Sequence, residues 1–122
     1  RVVLIDMIGC GKSDKQKREK FHQLHQHRLI LRDFVDRLGL KSINVVLEGW
    51  HSGLLMSLCE GISPLICNFL VLPEGRSRLS VAAFDDAMQA PFPDKGYKAG
   101  VREFSRLLLE LKKEKNSDYR NS

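Results

Sequence analysis

Residues 49–53 have the residue types of a catalytic turn. They follow an apolar run over residues 44–48 and contain two glycines, an indole, an imidazole and a hydroxyl. Glycines around a central residue are typical of the sharp strand-to-helix turn that presents a nucleophile at its apex. Where such a turn would carry Ser, Cys or Asp, residue 49 is Gly49, which has no atom that can attack a substrate.

His51 and Ser52 are the alternative candidates for chemistry at this turn. A turn displaced by two residues would place one of them near the apex. Nucleophilic catalysis also needs a base and a group that orients this base, and neither residue has such partners at a recognisable spacing. We therefore interpret His51 as a turn residue and Ser52 as a helix N-cap, and keep an esterase-like hydrolase that uses either one as an alternative.

A second glycine-rich turn, over residues 9–13, ends in the Gly-Lys-Ser sequence of a nucleotide-binding loop. That loop needs a further glycine five residues before the Gly-Lys-Ser, so that it can wrap around a phosphate. The residue at this position is Asp6, whose carboxylate would repel a phosphate. The sequence therefore favours a simple turn held by Gly9 and Gly11 over a nucleotide site.

Three closely spaced histidines, His22, His25 and His27, form the only histidine cluster that invites a metal. On a helix, His22 and His25 would share a face and His27 would point elsewhere. Neither a cysteine nor a carboxylate lies nearby at a spacing that completes a site. We predict a polar helix end and no metal centre.

The chain of 122 residues has the length and ordinary composition of one globular domain. Its net charge is +5, but the basic side chains are scattered and no aromatic residues are interleaved to stack bases, so we expect no nucleic-acid partner. The longest apolar run, 65–72, is too short to cross a bilayer, so we expect no membrane partner. Because the chain starts at Arg1 with a β-branched run, we expect a fragment of a longer protein.

The number and spacing of the cysteines indicate the cellular compartment of the protein. Cys10, Cys59 and Cys67 are odd in number and contain no closely spaced pair. Free thiols of this kind indicate a reducing compartment, and no secretory segment is visible, so we predict a cytoplasmic protein.

The hydrophobic pattern alternates between strands and helices. Buried β-branched runs predict strands, and apolar residues at helical spacing predict helices. This order is typical of βαβ units, so we predict an α/β fold with a short, mainly parallel three-stranded sheet flanked by helices. The predicted strands cover residues 1–6, 43–48 and 65–72, and the predicted helices cover 21–38, 52–60, 79–89 and 97–115.

Three stretches resemble one family of enzymes. Residues 6–15 resemble the Asp-x-x-Gly-x-Gly-x-Ser loop of α/β-hydrolases, and residues 45–50 resemble their nucleophile strand and turn. Residues 90–104 are similar to a segment near the end of the cap domain in haloalkane dehalogenases. The three stretches occur in the family's order, and the resemblance covers roughly residues 1–72 and 84–108, with most of the cap between them deleted.

The resemblance implies a hydrolytic mechanism for cleaving carbon–halogen bonds. In the family, an Asp at the turn attacks carbon, a His oriented by a carboxylate activates water, and a Trp donates its indole N–H to the halide. Carried over, Trp50 matches the halide-binding Trp and Gly49 falls on the nucleophile position. No counterpart of the His or of its carboxylate is found, and Glu48 is expected to be solvated or paired. Water would be the sole cosubstrate, without a cofactor.

The resemblance also has a consequence for the sheet. In the family, the strands that correspond to residues 1–6 and 43–48 are separated by a strand from sequence upstream of Arg1. Either residues 2–6 pair directly with residues 44–48, or a gap leaves backbone groups unpaired, and each buried one costs about 1–3 kcal/mol. We expect marginal stability, or a homo-oligomer through exposed strand edges.

These observations predict a partial α/β-hydrolase core over residues 1–72, a cap remnant with a following helix over 73–115, and a disordered tail over 116–122. The predicted function is that of a haloalkane dehalogenase-like hydrolase for small halogenated organic substrates, inactive as this chain because of Gly49. The alternatives are a non-catalytic fragment or protein-interaction module, and the esterase-like hydrolase.

Overall fold

The computed structural model describes residues 1–49, 52–73 and 86–120, with side chains up to residue 113. Short 3-10 segments occur at Glu19–Phe21, Cys59–Leu65 and Lys95–Lys98. Residues 86–89 form one helical turn. The remaining helices and strands are α1 (Leu24–Arg37), β1 (Ile43–Glu48), α2 (Ser52–Leu58), β2 (Ile66–Leu72) and α3 (Ala99–Arg120).

The sheet of the described residues consists of β1 and β2, which pair in parallel. Asn44 faces Asn68 in the ladder, and Glu48 faces Leu72 at its end. A parallel pair needs a crossover connection, and the 3-10 segment and α2 supply it. The predicted α/β fold with a short parallel sheet flanked by helices is therefore confirmed.

The strand predicted over residues 1–6 is wrong. These residues have no strand hydrogen bonds, and Val2 and Leu4 are 87% and 93% exposed. A groove of about 350 Å³ separates this segment from β1, and both line its walls. A β-branched run becomes a strand only where a neighbouring edge accepts its hydrogen bonds, and here no described strand lies within reach.

Helix α1 forms because its apolar residues recur on one face, which buries Leu31 and Val35. It ends at Arg37, and Gly39 two residues later has a positive φ of 60°, which allows a left-handed C-terminal turn. In this turn the Gly39 N–H donates to the Asp36 carbonyl and the Leu40 N–H donates to the Val35 carbonyl. The helix begins at Leu24 rather than at residue 21, because Gln23 has extended backbone angles.

The hydrophobic core lies between the inner face of the sheet and the three helices. On β1 the side chain of Leu47 is buried, whereas Val46 and Glu48 point to the exposed face. Helix α2 is at the centre, since Leu54 and Leu58 are each only 1% exposed. The buried core residues are Leu31, Val35, Leu54, Leu58, Cys59, Ile62, Phe104, Leu107 and Leu108.

The Arg28 side chain connects α1 to the carboxyl end of α2 and to the 3-10 segment that follows it. Its Nε–H donates to the Ser57 carbonyl over 2.9 Å, and its Nη2–H donates to the Ser57 hydroxyl over 2.8 Å. The same guanidinium forms an ion pair with Glu60. These contacts satisfy backbone and side-chain acceptors at the carboxyl end of α2, where a helix leaves carbonyl groups without partners.

The outer face of the sheet is open over the described residues. Val46, Leu70 and Leu72 are 59%, 54% and 40% exposed on this face. Parallel sheets are normally covered on both faces, so the solvent-facing apolar side chains lower the net gain from folding. The homo-oligomer through exposed strand edges stays a prediction.

Helix α3 continues to Arg120, past the predicted end at residue 115. The helix predicted over 79–89 lies mostly outside the described residues, apart from the turn at 86–89. The division of the chain at residues 72 and 115 stays a prediction. No helix in the described part of the chain has both the length and the apolar character needed to cross a membrane.

Candidate functional site

Gly49 lies at the corner between β1 and α2. The Gly49 N–H donates to the Leu72 carbonyl over 3.3 Å, which extends the ladder, and the Gly49 carbonyl accepts from the Ser52 N–H over 3.2 Å. The φ angle of Gly49 is 86°, a left-handed conformation that a side-chain-bearing residue adopts only with strain. In the described part of the chain, no atom beyond the adjoining residues would lie within 4 Å of a Cβ atom added at this position. The corner therefore has space for a side chain that the sequence does not supply.

Trp50 and His51 lie outside the described residues, so the halide-binding and catalytic roles considered for them stay predictions. Ser52 is the first residue of α2 and is partly buried. Within residues 1–49, 52–73 and 86–113, no imidazole hydrogen-bonds to the Ser52 hydroxyl. Glu48 is exposed at the end of β1.

A cavity of about 570 Å³ opens beside the first turn of α2. Leu54 and Leu55 form one wall, Phe92 and Phe104 another, and Cys10 contributes a thiol. A volume of this size accommodates a small organic molecule, and the lining is predominantly apolar, as in most small-molecule sites. Sequence reasoning did not assign Cys10 or Phe92 to a cavity, because distant segments meet there.

Burial keeps the Cys10 thiol protonated. Desolvation raises the pKa of Cys10 above its ordinary value, and the nearby Asp6 raises it further, while the Lys15 ammonium lowers it. The Lys15 ammonium itself donates to the Gly11 and Ser13 carbonyls over 2.5 and 2.6 Å. Because the thiolate is the reactive form, this thiol is a weak nucleophile at neutral pH.

The glycine-rich loop is closed by Asp6. The Lys12 N–H donates to the Asp6 carboxylate over 2.9 Å, and the Ser13 hydroxyl donates to the Asp6 carbonyl over 2.6 Å. A Cβ atom at Gly11 would lie 2.3 Å from the carboxylate carbon of Asp6. The carboxylate therefore binds the loop where a phosphate loop would present its backbone to a ligand, which favours the simple turn.

The histidine cluster differs from the prediction. His22 precedes α1 and packs against His27, whereas His25 is exposed on the helix. The His22 and His27 rings are fully buried and stacked, with centroids 5.2 Å apart. The predicted face shared by His22 and His25 is wrong because the helix begins only at Leu24.

Hydrogen bonds fix the protonation of this histidine pair. The Gln16 carbonyl lies 2.8 Å from His22 Nε2, so this nitrogen carries a proton and donates. His22 Nδ1 is then an acceptor, and the His27 Nε2–H donates to it over 3.1 Å. Within residues 1–49, 52–73 and 86–113, the buried lone pair of His27 Nδ1 has no hydrogen-bond partner. Burial, and secondarily His22, lowers the pKa of His27 from 6.5 to about 4.

Comparison with known proteins finds similarity to one group of enzymes. Haloalkane dehalogenase 1 of Mycobacterium tuberculosis (strain ATCC 25618 / H37Rv) and that of Mycobacterium bovis are 28% identical to the chain over 142 aligned positions, which cover 88% of this chain and 47% of each relative. The haloalkane dehalogenase of Mycobacterium marinum is 27% identical, with 88% and 48% covered. No family model matches the chain, and no solved structure matches it.

The comparison also shows that the chain corresponds to only part of each relative. The chain spans about half the length of the curated relatives that it matches. The 142 aligned positions exceed the 122 residues of the chain, so the relatives contain residues within the aligned region that have no counterpart here. The similarity supports a hydrolase-like relationship for the chain.

Proposed function

We propose that this chain is a haloalkane dehalogenase-like hydrolase unit that binds small apolar molecules, halogenated ones among them, but does not hydrolyse them. The single observation that carries this proposal is Gly49 at the β1–α2 corner, with a left-handed backbone and, among the described residues, no atom close to the place where a nucleophile's side chain would begin. A hydrogen atom in that place cannot attack carbon.

The cavity beside α2 supports the binding half of the proposal. Leu54 and Leu55 belong to the first turn of the helix that follows Gly49, so the apolar space adjoins the corner. Burial of an alkyl chain in such a space yields about 0.8 kcal/mol per CH₂ group, which favours short alkyl ligands. The similarity to mycobacterial haloalkane dehalogenases supports haloalkanes as the ligand class.

Introducing a carboxylate at residue 49 tests both the proposed ligand binding and the proposed loss of hydrolysis. We expect a Gly49→Asp variant to displace halide from a short bromoalkane once per chain. The Asp carboxylate oxygen forms a bond to carbon, the carbon–bromine bond breaks, and bromide leaves with the electron pair. Without a base to activate water, the alkyl ester persists, so intact mass spectrometry records one added alkyl group and ion chromatography records one bromide per chain.

The matched control is Gly49→Asn, which has the same shape and the same backbone strain but no nucleophilic oxygen. It is expected to remain unlabelled, as is the unaltered chain. Repeated bromide release by the unaltered chain would disprove the proposed loss of hydrolysis. An unlabelled Gly49→Asp variant that still has the circular dichroism of the parent would disprove the assignment of residue 49 to the nucleophile position.

The esterase-like alternative uses Ser52 or His51. Hydrolysis of a short p-nitrophenyl ester that disappears in a Ser52→Ala or His51→Gln variant would favour it over the inactive unit. The structure offers no observation in the described residues that favours this alternative, so it stands second.

A further inference from the structure

The buried histidine pair joins three parts of the chain. His22 belongs to residues 8–23, which we call the amino-terminal arm, and His27 belongs to α1. The ring of His27 packs on Phe104 of α3, with centroids 4.8 Å apart, and on Phe21 of the arm at 6.1 Å. The pair therefore lies where the arm, α1 and α3 meet.

The arm has few other attachments to α3. Gly9 and Gly100 approach so closely that a Cβ on either would lie 2.9 Å from the Cα of the other. The Arg102 guanidinium donates to the Glu19 carboxylate over 2.9 Å at the surface. An exposed ion pair of this kind contributes little, so the buried contacts hold the arm.

We propose that the His22–His27 pair is an acid-sensitive latch that holds the amino-terminal arm on α1 and α3 at neutral pH and releases it on mild acidification. One nitrogen lone pair of the histidine pair is free to accept an added proton. The two N–H groups of the pair, on His22 Nε2 and His27 Nε2, already donate, so an added proton occupies the lone pair of His27 Nδ1, which has no hydrogen-bond partner among the described residues. A buried cation without a partner is strongly unfavourable, and release of the arm exposes it to water.

No other charged group offsets that proton in the described part of the chain. The elements packed against the pair carry charged or titratable side chains, but these are exposed or paired elsewhere. Glu19 pairs with Arg102, Arg28 pairs with Glu60, and Glu103 pairs with Arg106. On α1, Arg32 pairs with Asp36 and Arg37 pairs with Asp33, and on α3 Arg106 also pairs with Glu110. The Lys17 ammonium of the arm lies 3.9 Å from the carboxylate of Asp94, which precedes α3 in the chain. The other charged or imidazole side chains on these elements, within the described residues, are Lys12, Asp14, Lys15, Arg18, Lys20, His25, Lys112 and Lys113.

The direction in which pH changes the opening equilibrium of the arm follows from the pKa of His27 in the docked and released states. The released arm leaves His27 near its ordinary pKa of 6.5, whereas the docked arm holds this pKa at about 4. Between these values the released state binds one more proton, so the opening equilibrium constant rises about tenfold per pH unit as the pH falls. At about pH 5 the opening constant is therefore about 30-fold higher than at about pH 7.5, and below pH 4 it no longer changes.

The three free cysteines provide the readout within one molecule. Cys10 lies on the arm and is partly buried, Cys59 is buried in the core, and Cys67 is exposed on β2. The chain is treated with 4,4′-dithiodipyridine, which reacts with thiols in mildly acidic solution, and the label at each cysteine is measured by peptide mass spectrometry. We expect the labelling rate of Cys10 relative to Cys67 to rise at least tenfold between about pH 7.5 and about pH 5, while Cys59 stays protected.

Two variants separate the latch from general acid sensitivity. His27→Gln retains an N–H that donates to His22 Nδ1 but does not titrate, so it is expected to abolish the rise at Cys10. His25→Gln removes an exposed imidazole from the same helix and is expected to leave the rise intact. A rise that persists in His27→Gln, or Cys59 labelling that increases together with Cys10 labelling, would overturn the latch.

A measurement on the unaltered chain keeps the proposal falsifiable if His27→Gln does not fold. The imidazole resonances of the four histidines are followed by NMR as the pH falls from about 7.5 to about 5. We expect His27 to remain neutral while the arm is docked. Titration of His27 near 6.5 with Cys10 still protected would disprove the latch. Halide chemistry at residue 49 plays no part in either readout, so the latch and the proposed function fail separately.

Discussion

Replacing Leu58 by alanine is expected to lower the free energy of unfolding by about 3 kcal/mol. Leu58 is 1% exposed at the centre of the core, where α2 lies between α1, α3 and the inner face of the sheet. Truncation removes apolar contacts and leaves a cavity, since neighbouring helices collapse into such a space only in part. Urea unfolding followed by far-UV circular dichroism measures the change, with an unaltered dependence on urea concentration as a check on two-state behaviour.

The matched control for this prediction is Leu109→Ala on α3. Leu109 is 59% exposed, so the same truncation removes little buried surface and is expected to change the free energy of unfolding by less than about 0.5 kcal/mol. Equal losses in the two variants would mean that α2 does not occupy the core. A small loss at Leu58 alone would mean that the sheet and helices do not pack as the structure has them.

Replacing Gly9 by alanine is expected to lower the free energy of unfolding by about 3 kcal/mol, for two reasons that add. The φ angle of Gly9 is 95°, which strains any residue with a side chain. The added Cβ would also lie 2.9 Å from the Cα of Gly100 and 3.2 Å from the His22 ring, and backbone of a helix cannot move aside as a flexible side chain would. Thermal and urea unfolding at about pH 7.5 measure the loss without interference from histidine protonation.

Alanine variants of two other glycines distinguish the cost of a positive φ from the cost of a steric clash. Gly39→Ala also places alanine at a positive φ, 60°, but its Cβ would have no neighbour within 4 Å, so a loss of about 1 kcal/mol is expected. Gly100→Ala adds the collision with Gly9 and His22 without a positive φ. If Gly9→Ala costs no more than Gly39→Ala, then the arm does not contact α3 as described.

Local sequence patterns predicted the elements whose stability depends on nearby residues. Strand β1 has the predicted bounds, and β2 begins one residue after the predicted start. Helix α1 ends where Gly39 provides the left-handed turn that stops a helix. These features depend on hydrophobic periodicity and on the conformational freedom of single residues, both of which are visible in the sequence.

Gly49 shows which property of the candidate site the sequence determined and which property the tertiary structure determined. The residue type alone established that no nucleophile stands at this position, because glycine has no side chain. The tertiary structure added that residue 49 lies at the β1–α2 corner, with a left-handed backbone and open space around it. The sequence thus determined that residue 49 has no side chain, and the structure located the residue within the fold.

Contacts between distant segments were decided by the tertiary structure alone. The run at residues 1–6 has the composition of a strand, yet it pairs with no described strand, because pairing depends on the edge that another segment presents. His22 and His27 meet because the chain turns before α1, and Cys10 reaches the cavity because the arm crosses towards α2 and α3. Residue type and spacing set local conformation, whereas burial, pKa and cavity shape depend on which distant groups exclude water together.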